Sequence, residues 1–335
     1  MNHLAAIARA IQQPQHVQTG DLPRGAGMNG VKAFVTRIPP NVQGMALMLV
    51  VTIFIVSMHG LIRYLSRELP PFEVAFFRNL FGIPILLPFL FRDGLSIFRT
   101  PRLRVHVIRS VGHVIAMLTF FYGLSTTELA TANALGFTAP LFAAALATIV
   151  LGEVFRWRRW TALIVGFIGM LIILRPGLVE LGTGPLLILG SSFVWGTVLV
   201  IIKSLGQRES VVTIVAYMIV FMIPLSLVPA LFVWQWPTWE QLGLMLIMGM
   251  MGTAGHFLIT AALKIADTAA VMPIDFLKLV WAALLGYALF GEVPDFWTFV
   301  GGAIVFAAAT YIALRERTAA RDTDRTAAKA AAPAD

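Results

Sequence analysis

Residues 272–292 read MPIDFLKLVWAALLGYALFGE, an apolar run that is long enough to cross a membrane and carries Asp275 and Lys278 near its middle. On insertion scales, each such charge costs about 2.5–3.5 kcal/mol at the centre of a bilayer. The two side chains are three residues apart, so on a helix they share one face and can pair, which reduces this cost without removing it. We therefore expect the pair to face a polar cavity between helices.

The composition of the whole chain is typical of an integral membrane protein. Of its 335 residues, 58% are hydrophobic and 13% are charged, whereas soluble proteins average about 25% charged residues. The mean hydropathy is +0.83. The absence of cysteine excludes disulfides, thiol catalysis and cysteine-based metal sites. The sequence also has no phosphate-binding loop motif and no candidate catalytic triad, so we expect a protein that is not an enzyme and uses no cofactor or metal.

Ten segments have a length near the roughly 20 residues that a helix needs to cross the hydrocarbon core. We number them spans 1 to 10, and they comprise residues 44–65, 71–91, 105–124, 129–150, 159–174, 184–204, 211–233, 241–262, 268–290 and 296–314. The polar segments on either side, residues 1–42 and 315–335, are predicted to be disordered tails.

The basic residues predict how the spans are oriented. The net charge is +8, and most Lys and Arg residues lie in short loops and tails, a pattern that indicates membrane topology and not binding to nucleic acid. With the N-terminus inside, 20 of the 25 Lys and Arg residues lie in or beside cytoplasmic segments, including five in or bordering the segment between spans 2 and 3, with Arg109 as the last of the five. Three lie on the opposite side. Both termini are therefore predicted to be cytoplasmic.

An internal repeat relates the two halves of the chain. A shift of 140 residues places Gly44 on Gly184, and a shift of 139 residues places residues 152–154 on residues 291–293, both of which read Gly-Glu-Val. Matches at a nearly constant offset continue across five spans. The sequence therefore indicates a five-helix unit that has been duplicated.

The two units, residues 44–174 and 184–314, each contain an odd number of spans, so the second unit must enter the bilayer from the opposite side. Inverted repeats of this kind are the architecture of secondary transporters, in which a site near the middle of the membrane opens alternately to each side. The predicted fold class is an all-α membrane protein with ten transmembrane helices in two inverted five-helix repeats.

Several motifs occur in a fixed order along the repeat: Arg78 in span 2, Pro140 in span 4, Gly152-Glu153 at its end, Arg175-Pro176-Gly177 after span 5 and Gly291-Glu292 after span 9. Together with the duplication they resemble the drug/metabolite transporter superfamily, in particular its ten-helix permeases built from two EamA-type domains. The resemblance covers about residues 44–314. It implies a transporter that moves small metabolites across the bacterial inner membrane.

Residues 273–277, PIDFL, resemble a subgroup of this family that includes carriers for S-adenosylmethionine and riboflavin. The first interpretation is therefore uptake of a nucleoside-like or flavin-like solute by alternating access, and the second is export of amino acids or related compounds. A membrane scaffold or lipid-handling protein is a third interpretation, which the charges in mid-span disfavour because lipid tails give them no partner. A coupling ion, either a proton or sodium, or an exchange of solutes would drive transport. Besides the substrate, the expected partners are membrane lipids, and the oligomeric state stays open.

The charged candidates for the site lie at similar depth. Arg78 is close to the middle of span 2, and Asp275 and Lys278 are close to the middle of span 9. At 1.5 Å per residue, all three fall within about 6 Å of the centre of the membrane. Their depth therefore allows these three side chains to share one cavity.

The repeat supplies an internal control, because these charges have no copy in the other half. Two interpretations remain open: the charges bind a charged or zwitterionic solute, with Asp275 as a candidate for proton exchange, or they form a structural ion pair that positions helices. The repeat-related pairs are Arg78 and Met218, Asp275 and Gly136, and Lys278 and Ala139.

Histidine and aromatic residues supply further candidates. A histidine within a span can relay protons, and His113 in span 3 is the best candidate, although a backbone carbonyl or hydroxyl also satisfies a single histidine easily. His59 and His256 are interpreted as structural residues, and three scattered histidines do not have the spacing of a metal site. Aromatic walls suit a flat organic solute, and the predicted substrate contacts of this type are Trp195, Tyr122 and Trp281.

Overall fold

The computed structural model describes residues 39–150, 157–176, 182–206, 209–266 and 268–331. The predicted N-terminal tail lies outside these ranges up to residue 38, and so does Glu153 at the end of span 4. The described part of the chain is almost entirely helical, and every predicted span contains helix. Eight helical segments are long and apolar enough to cross a membrane, and spans 5 and 10 contribute the shorter apolar helices Trp160–Leu174 and Phe296–Ile312.

Seven spans are single helices within the described residues, and spans 2, 4 and 9 are each divided into two helices. In chain order the helices are Pro40–Leu65, Pro71–Leu80 and Ile83–Asp93 (span 2), Leu103–Thr126, Leu129–Gly136 and Ala139–Val150 (span 4), Trp157–Leu174, Thr183–Gly206, Val211–Leu231, Trp239–Ile265, Thr268–Asp275 and Leu277–Phe290 (span 9), and Phe296–Ala331. A short 3₁₀ helix, Gly94–Phe98, follows span 2. The ten predicted spans are therefore confirmed.

The C-terminal prediction is wrong over most of its length. The last helix continues to Ala331, so residues 315–331 are helical where the sequence predicted disorder. This segment is rich in alanine and arginine, which have high intrinsic helix propensity. It also continues a span whose first turns are already formed, so the costly nucleation of a new helix is not needed.

The breaks in spans 4 and 9 are equivalent under the repeat. Span 4 is interrupted at Phe137 and span 9 at Phe276, two positions 139 residues apart, and their rings stack with centroids separated by 6.2 Å. The prolines near the breaks are not equivalent, because Pro140 follows the first break and Pro273 precedes the second. Both prolines lack the N–H that would continue the helical hydrogen bonds. Both repeats therefore have a helix break at the same position, but the proline next to the break is placed differently in each.

The helix crossings are equivalent as well. Span 1 packs against span 8, and span 6 packs against span 3. At the first crossing a Cβ on Gly44 would collide with the Cβ of Ala266, and at the second a Cβ on Gly184 would collide with the hydroxyl of Thr127. Small residues allow helix backbones to approach this closely. The repeated glycine noticed in the sequence thus marks the same crossing in each half.

A polar network ties spans 1, 4 and 9 together at the end of span 9. Glu292 pairs with Arg63 at the end of span 1 and accepts a hydrogen bond from the backbone N–H of Leu129, the first residue of span 4, at 2.9 Å. Burial raises the pKa of Glu292, while the N–H of Leu129 and the guanidinium of Arg63 favour its charged form. Arg63 also donates to the carbonyl of Thr127. Glu292 therefore joins three spans, which gives this end of the repeat motif a structural role.

Candidate functional site: the central cavity

A cavity of about 450 Å³ lies between the two repeats. Its walls come from spans 1 to 4 of the first repeat and spans 6 to 9 of the second. This volume falls within the range of about 300–1,000 Å³ that is usual for small-molecule sites. The position between halves, with walls from both, is where an inverted-repeat transporter holds its substrate.

Two arginines contribute buried guanidinium groups to the cavity wall. Arg78 is 4% exposed, and its Nη1 donates to the Asn79 side-chain oxygen at 3.0 Å. Arg109 is 1% exposed, and its Nη1 donates to the carbonyl of Ile214 at 3.3 Å. The Nε atom of each arginine has no hydrogen-bond partner among the described residues. Each guanidinium therefore lines the cavity and has a buried N–H donor without a partner among the described residues.

Asn79 and Gly252 fix the position of the Arg78 side chain. The Asn79 amide, which accepts from Arg78, itself donates to the hydroxyl of Ser226 in span 7 at 3.1 Å. A Cβ on Gly252 in span 8 would lie 2.9 Å from Nη2 of Arg78 and 3.0 Å from its Nε. The guanidinium thus packs closely against span 8 at a position that carries no side chain.

Asp275 and Lys278 form the predicted ion pair. Their Oδ1 and Nζ atoms are 2.5 Å apart across one turn of span 9. Lys278 lines the cavity, whereas Asp275 is not among the lining residues and reaches the site through Lys278. The break at Phe276 separates the two residues, so the pair bridges the two helices of span 9.

The three membrane histidines meet at the cavity, although the sequence singled out only one of them. His113 packs on the ring of Trp195 with centroids 4.5 Å apart and lies 6.0 Å from the ring of His256. His59 shares a hydrogen bond of 2.9 Å with the side chain of Asn133. All three line the cavity. Because they come from spans 1, 3 and 8, only the packing of the helices could show this convergence.

Arg109 was missed as a site residue. Its place near the start of span 3 suggests a basic residue at the cytoplasmic border, but the helix of span 3 begins at Leu103 and buries it. A signal was present in the spacing, since Arg109 and His113 are four residues apart and therefore share one face of a helix. Both side chains line the cavity.

The predicted aromatic contacts divide into one that lines the cavity and two that do not. Trp195 lines it, close to Ser191, whose hydroxyl donates to the carbonyl of Ala116 at 2.7 Å. Tyr122 is 45% exposed and does not line the cavity. Trp281 also lies outside the lining, because its indole N–H donates to Thr52 at 3.1 Å between spans 9 and 1. Tyr122 and Trp281 are therefore withdrawn as substrate contacts.

Comparison with protein families identifies the fold. The model of the EamA-like transporter family matches residues 42–175 and 182–314, one match for each repeat. The chain belongs to the EamA-like transporter family. The resemblance to the drug/metabolite transporter superfamily and the two-repeat architecture are confirmed.

Curated relatives are transporters of small metabolites. The chain is 33% identical to an S-adenosylmethionine uptake transporter of Rickettsia bellii over 77% of this chain and 88% of the relative. It is 30% identical to a riboflavin transporter of Vibrio cholerae over 81% of this chain and 92% of the relative. A solved structure at 15% identity superimposes with a TM-score of 0.57 over 82% of this chain and 95% of that chain, which shows the shared fold. This EamA-like chain is a multi-pass membrane transporter for a small metabolite.

Proposed function

We propose that this transporter takes up a nucleoside-like metabolite of the S-adenosylmethionine type across the bacterial inner membrane by alternating access. The substrate binds in the central cavity, and no chemical bond is made or broken during its passage. Arg78, Lys278 and Trp195 contact it, and Asp275 acts through Lys278. Asp275 and His113 are the candidates for coupling to a proton, with sodium as the alternative coupling ion.

The observation that carries this proposal is the mixed chemistry of the cavity. Trp195 and His113 present neighbouring rings on which a flat heterocycle can pack, and guanidinium groups of Arg78 and Arg109 line the same space. Aromatic faces also attract a sulfonium or ammonium group. A nucleoside that carries charged substituents needs both an aromatic surface and charged side chains in its binding site. The names of relatives at 33% identity support the same substrate type.

A second candidate substrate is a flavin-like solute, because a riboflavin transporter is 30% identical over most of its length. A flavin would use the aromatic wall of Trp195 and His113 and would leave the guanidinium groups without a charged partner. The cavity therefore favours the first candidate. Export of amino-acid-like compounds and a lipid-handling role have no comparable support in the relatives.

The proposal is tested with purified protein in proteoliposomes. We expect saturable accumulation of radiolabelled S-adenosylmethionine that excess unlabelled compound abolishes and a hundredfold excess of riboflavin does not. Liposomes without protein supply the background. Accumulation of riboflavin in place of S-adenosylmethionine would support the second candidate, and efflux without uptake would contradict the proposed direction.

Orientation is part of the proposal, with both termini in the cytoplasm. The natural chain has no cysteine, so single cysteines can be introduced without background. A cysteine at Gly182 is expected to react with a membrane-impermeant maleimide added to intact spheroplasts. A cysteine at Ser96 is expected to react only after the membrane is opened. The reverse pattern would mean that the topology is inverted.

A further inference from the structure

The two cavity arginines lack the partner that buried charges need. Among the described residues, no carboxylate lies within 4.0 Å of the guanidinium of Arg78 or Arg109, whereas Lys278 is paired with Asp275. Both arginines are more than nine-tenths buried, and the Nε of each has no hydrogen-bond partner in the described part of the chain. An uncompensated charge in a medium of low dielectric constant is costly, and an incoming anion would relieve this cost.

We propose that Arg78 and Arg109 bind a carboxylate of the substrate, so that a carboxylate is required for recognition. This inference rests on the proposed function and names the substrate group that the site selects. It excludes solutes that carry only a flat ring, and it therefore separates S-adenosylmethionine, which has a carboxylate, from riboflavin, which has none.

The location of the carboxylate follows from the groups around His256. His256 lies one turn after Gly252, which contacts Arg78, and its ring is 6.0 Å from that of His113, one turn after Arg109. The two histidines and the two arginines line the cavity, together with Lys278. Within the described residues, the cavity wall near His256 carries the positive charges of Arg78, Arg109 and Lys278, of which Lys278 is paired with Asp275. The planar guanidinium group matches the geometry of a carboxylate through parallel N–H donors, which makes arginine the residue suited to this contact.

The remaining cavity wall is complementary to the rest of such a molecule. Asp275 is not itself a lining residue, but through its ion pair it holds Lys278 at the cavity wall and supplies negative charge near an ammonium group of the ligand. The rings of Trp195 and His113 are available to a heterocycle. An α-amino acid attached to a nucleoside presents a carboxylate, an ammonium group and a flat ring in one molecule.

The test compares S-adenosylmethionine with its decarboxylated form, which differs by the carboxylate alone. In the wild type we expect the decarboxylated form to inhibit uptake of S-adenosylmethionine at least about tenfold more weakly, because a hydrogen bond to a charged group is lost. In Arg78→Gln and Arg109→Gln the ratio of the two inhibition constants should fall towards one. A merely structural role for either arginine would weaken both ligands equally and leave the ratio unchanged.

Two further variants guard against misfolding and nonspecific effects. Arg67→Gln removes an arginine that lies over the ring of Phe290, 4.8 Å from its centroid and outside the cavity, and should keep the wild-type ratio. Arg109→Lys keeps the charge and removes the planar fork, so its ratio should lie between those of the wild type and Arg109→Gln. If a glutamine variant does not fold, Arg109→Lys still tests the proposal. A ratio of inhibition constants equal to that of the wild type in Arg109→Lys would contradict it.

The proposed function and this inference can fail separately. Equal inhibition by S-adenosylmethionine and its decarboxylated form would overturn the carboxylate requirement and leave the proposed function intact. If S-adenosylmethionine is not transported, the proposed function fails, and the inference is decided by the thermal stability of purified protein with metabolites supplied as free acids and as amides. Stabilisation by acids alone supports it. Equal stabilisation, no stabilisation, or a preference for phosphate esters over carboxylic acids overturns it.

Discussion

The two repeats build the same scaffold and contribute different chemistry to the cavity between them. Arg78 in the first repeat faces the same space as its counterpart Met218 in the second, and Lys278 faces the same space as Ala139. Gly136, the counterpart of Asp275, also lines the cavity. In contrast, the crossing glycines and the breaks at spans 4 and 9 are present in both halves.

This difference separates what the fold requires from what the substrate requires. An inverted-repeat transporter needs symmetric helix crossings in order to open to either side. A bound metabolite is not symmetric, so the walls that hold it have no reason to remain equivalent. Positions that have diverged at the cavity are therefore better markers of substrate recognition than positions that the repeat has kept.

The largest effect is expected from making the cavity symmetric at Arg78. Arg78→Met gives the first repeat the side chain of Met218 and should lower uptake about 100-fold, since charged hydrogen bonds to the substrate are lost. Replacing an unpaired buried charge with an apolar side chain of similar size removes the desolvation cost of the charge. Thermal unfolding monitored by intrinsic fluorescence should therefore show a midpoint equal to or above that of the wild type.

Met218→Leu is the matched control at the equivalent position and should retain uptake. Normal uptake by Arg78→Met would contradict a role for the charge in recognition, and the difference between repeats at this position would then have no functional meaning.

The pair in span 9 distinguishes a binding role from a structural one. Lys278→Ala leaves the partly exposed Asp275 without its partner, so we expect a loss of about 1–3 kcal/mol of stability and uptake lowered about tenfold. The double variant Asp275→Asn, Lys278→Ala removes the unpaired charge and should recover stability without recovering uptake. Uptake and thermal unfolding are measured on the same preparations. Recovery of uptake together with stability would mean that the pair only positions helices.

A smaller effect is expected from displacing Arg78 without removing it. Gly252→Ala adds a Cβ that would lie 2.9 Å from Nη2 of Arg78 and 2.7 Å from Sδ of Met58, so the guanidinium must shift. We expect KM to rise about three- to tenfold, in line with the loss of about one hydrogen bond, with little change in the maximal rate. Gly243→Ala in the same span has no atom within 4 Å of its added Cβ and should behave as the wild type. Equal KM values for the two variants would contradict the packing of Arg78 on Gly252.

The fold could be predicted because its determinants are local or periodic. The thickness of the bilayer sets the length of each apolar segment, and a constant offset in the sequence reveals the repeat. The ion pair of Asp275 and Lys278 was also predictable, because both residues lie on one turn of one helix.

The rest of the site depends on how the helices are rotated and packed. His59, His113 and His256 come from three spans, and no spacing within the chain brings them together. Trp281 lies one turn after Lys278 but is turned to Thr52 by its hydrogen bond, outside the cavity lining. The position of Arg109 near a helix end concealed its burial, since a basic residue at that depth is equally typical of a cytoplasmic border.

The stacked rings of Phe137 and Phe276 have a mechanical consequence. Each ring stands where its α-helix is interrupted, and turn bonds, such as those from the N–H of Phe137 to the carbonyl of Ala134 and from the N–H of Phe276 to the carbonyl of Pro273, replace the α-helical ladder there. A short interruption of this kind allows the two helices of a span to rotate through changes in a few backbone angles. Two stacked rings can shift past each other without breaking a hydrogen bond. The two rings therefore form a contact between the repeats at the point where both helices are interrupted. Gly136 and Lys278 lie within two residues of these rings and line the cavity, so a rotation of the helices at the two breaks would change the shape of the substrate site.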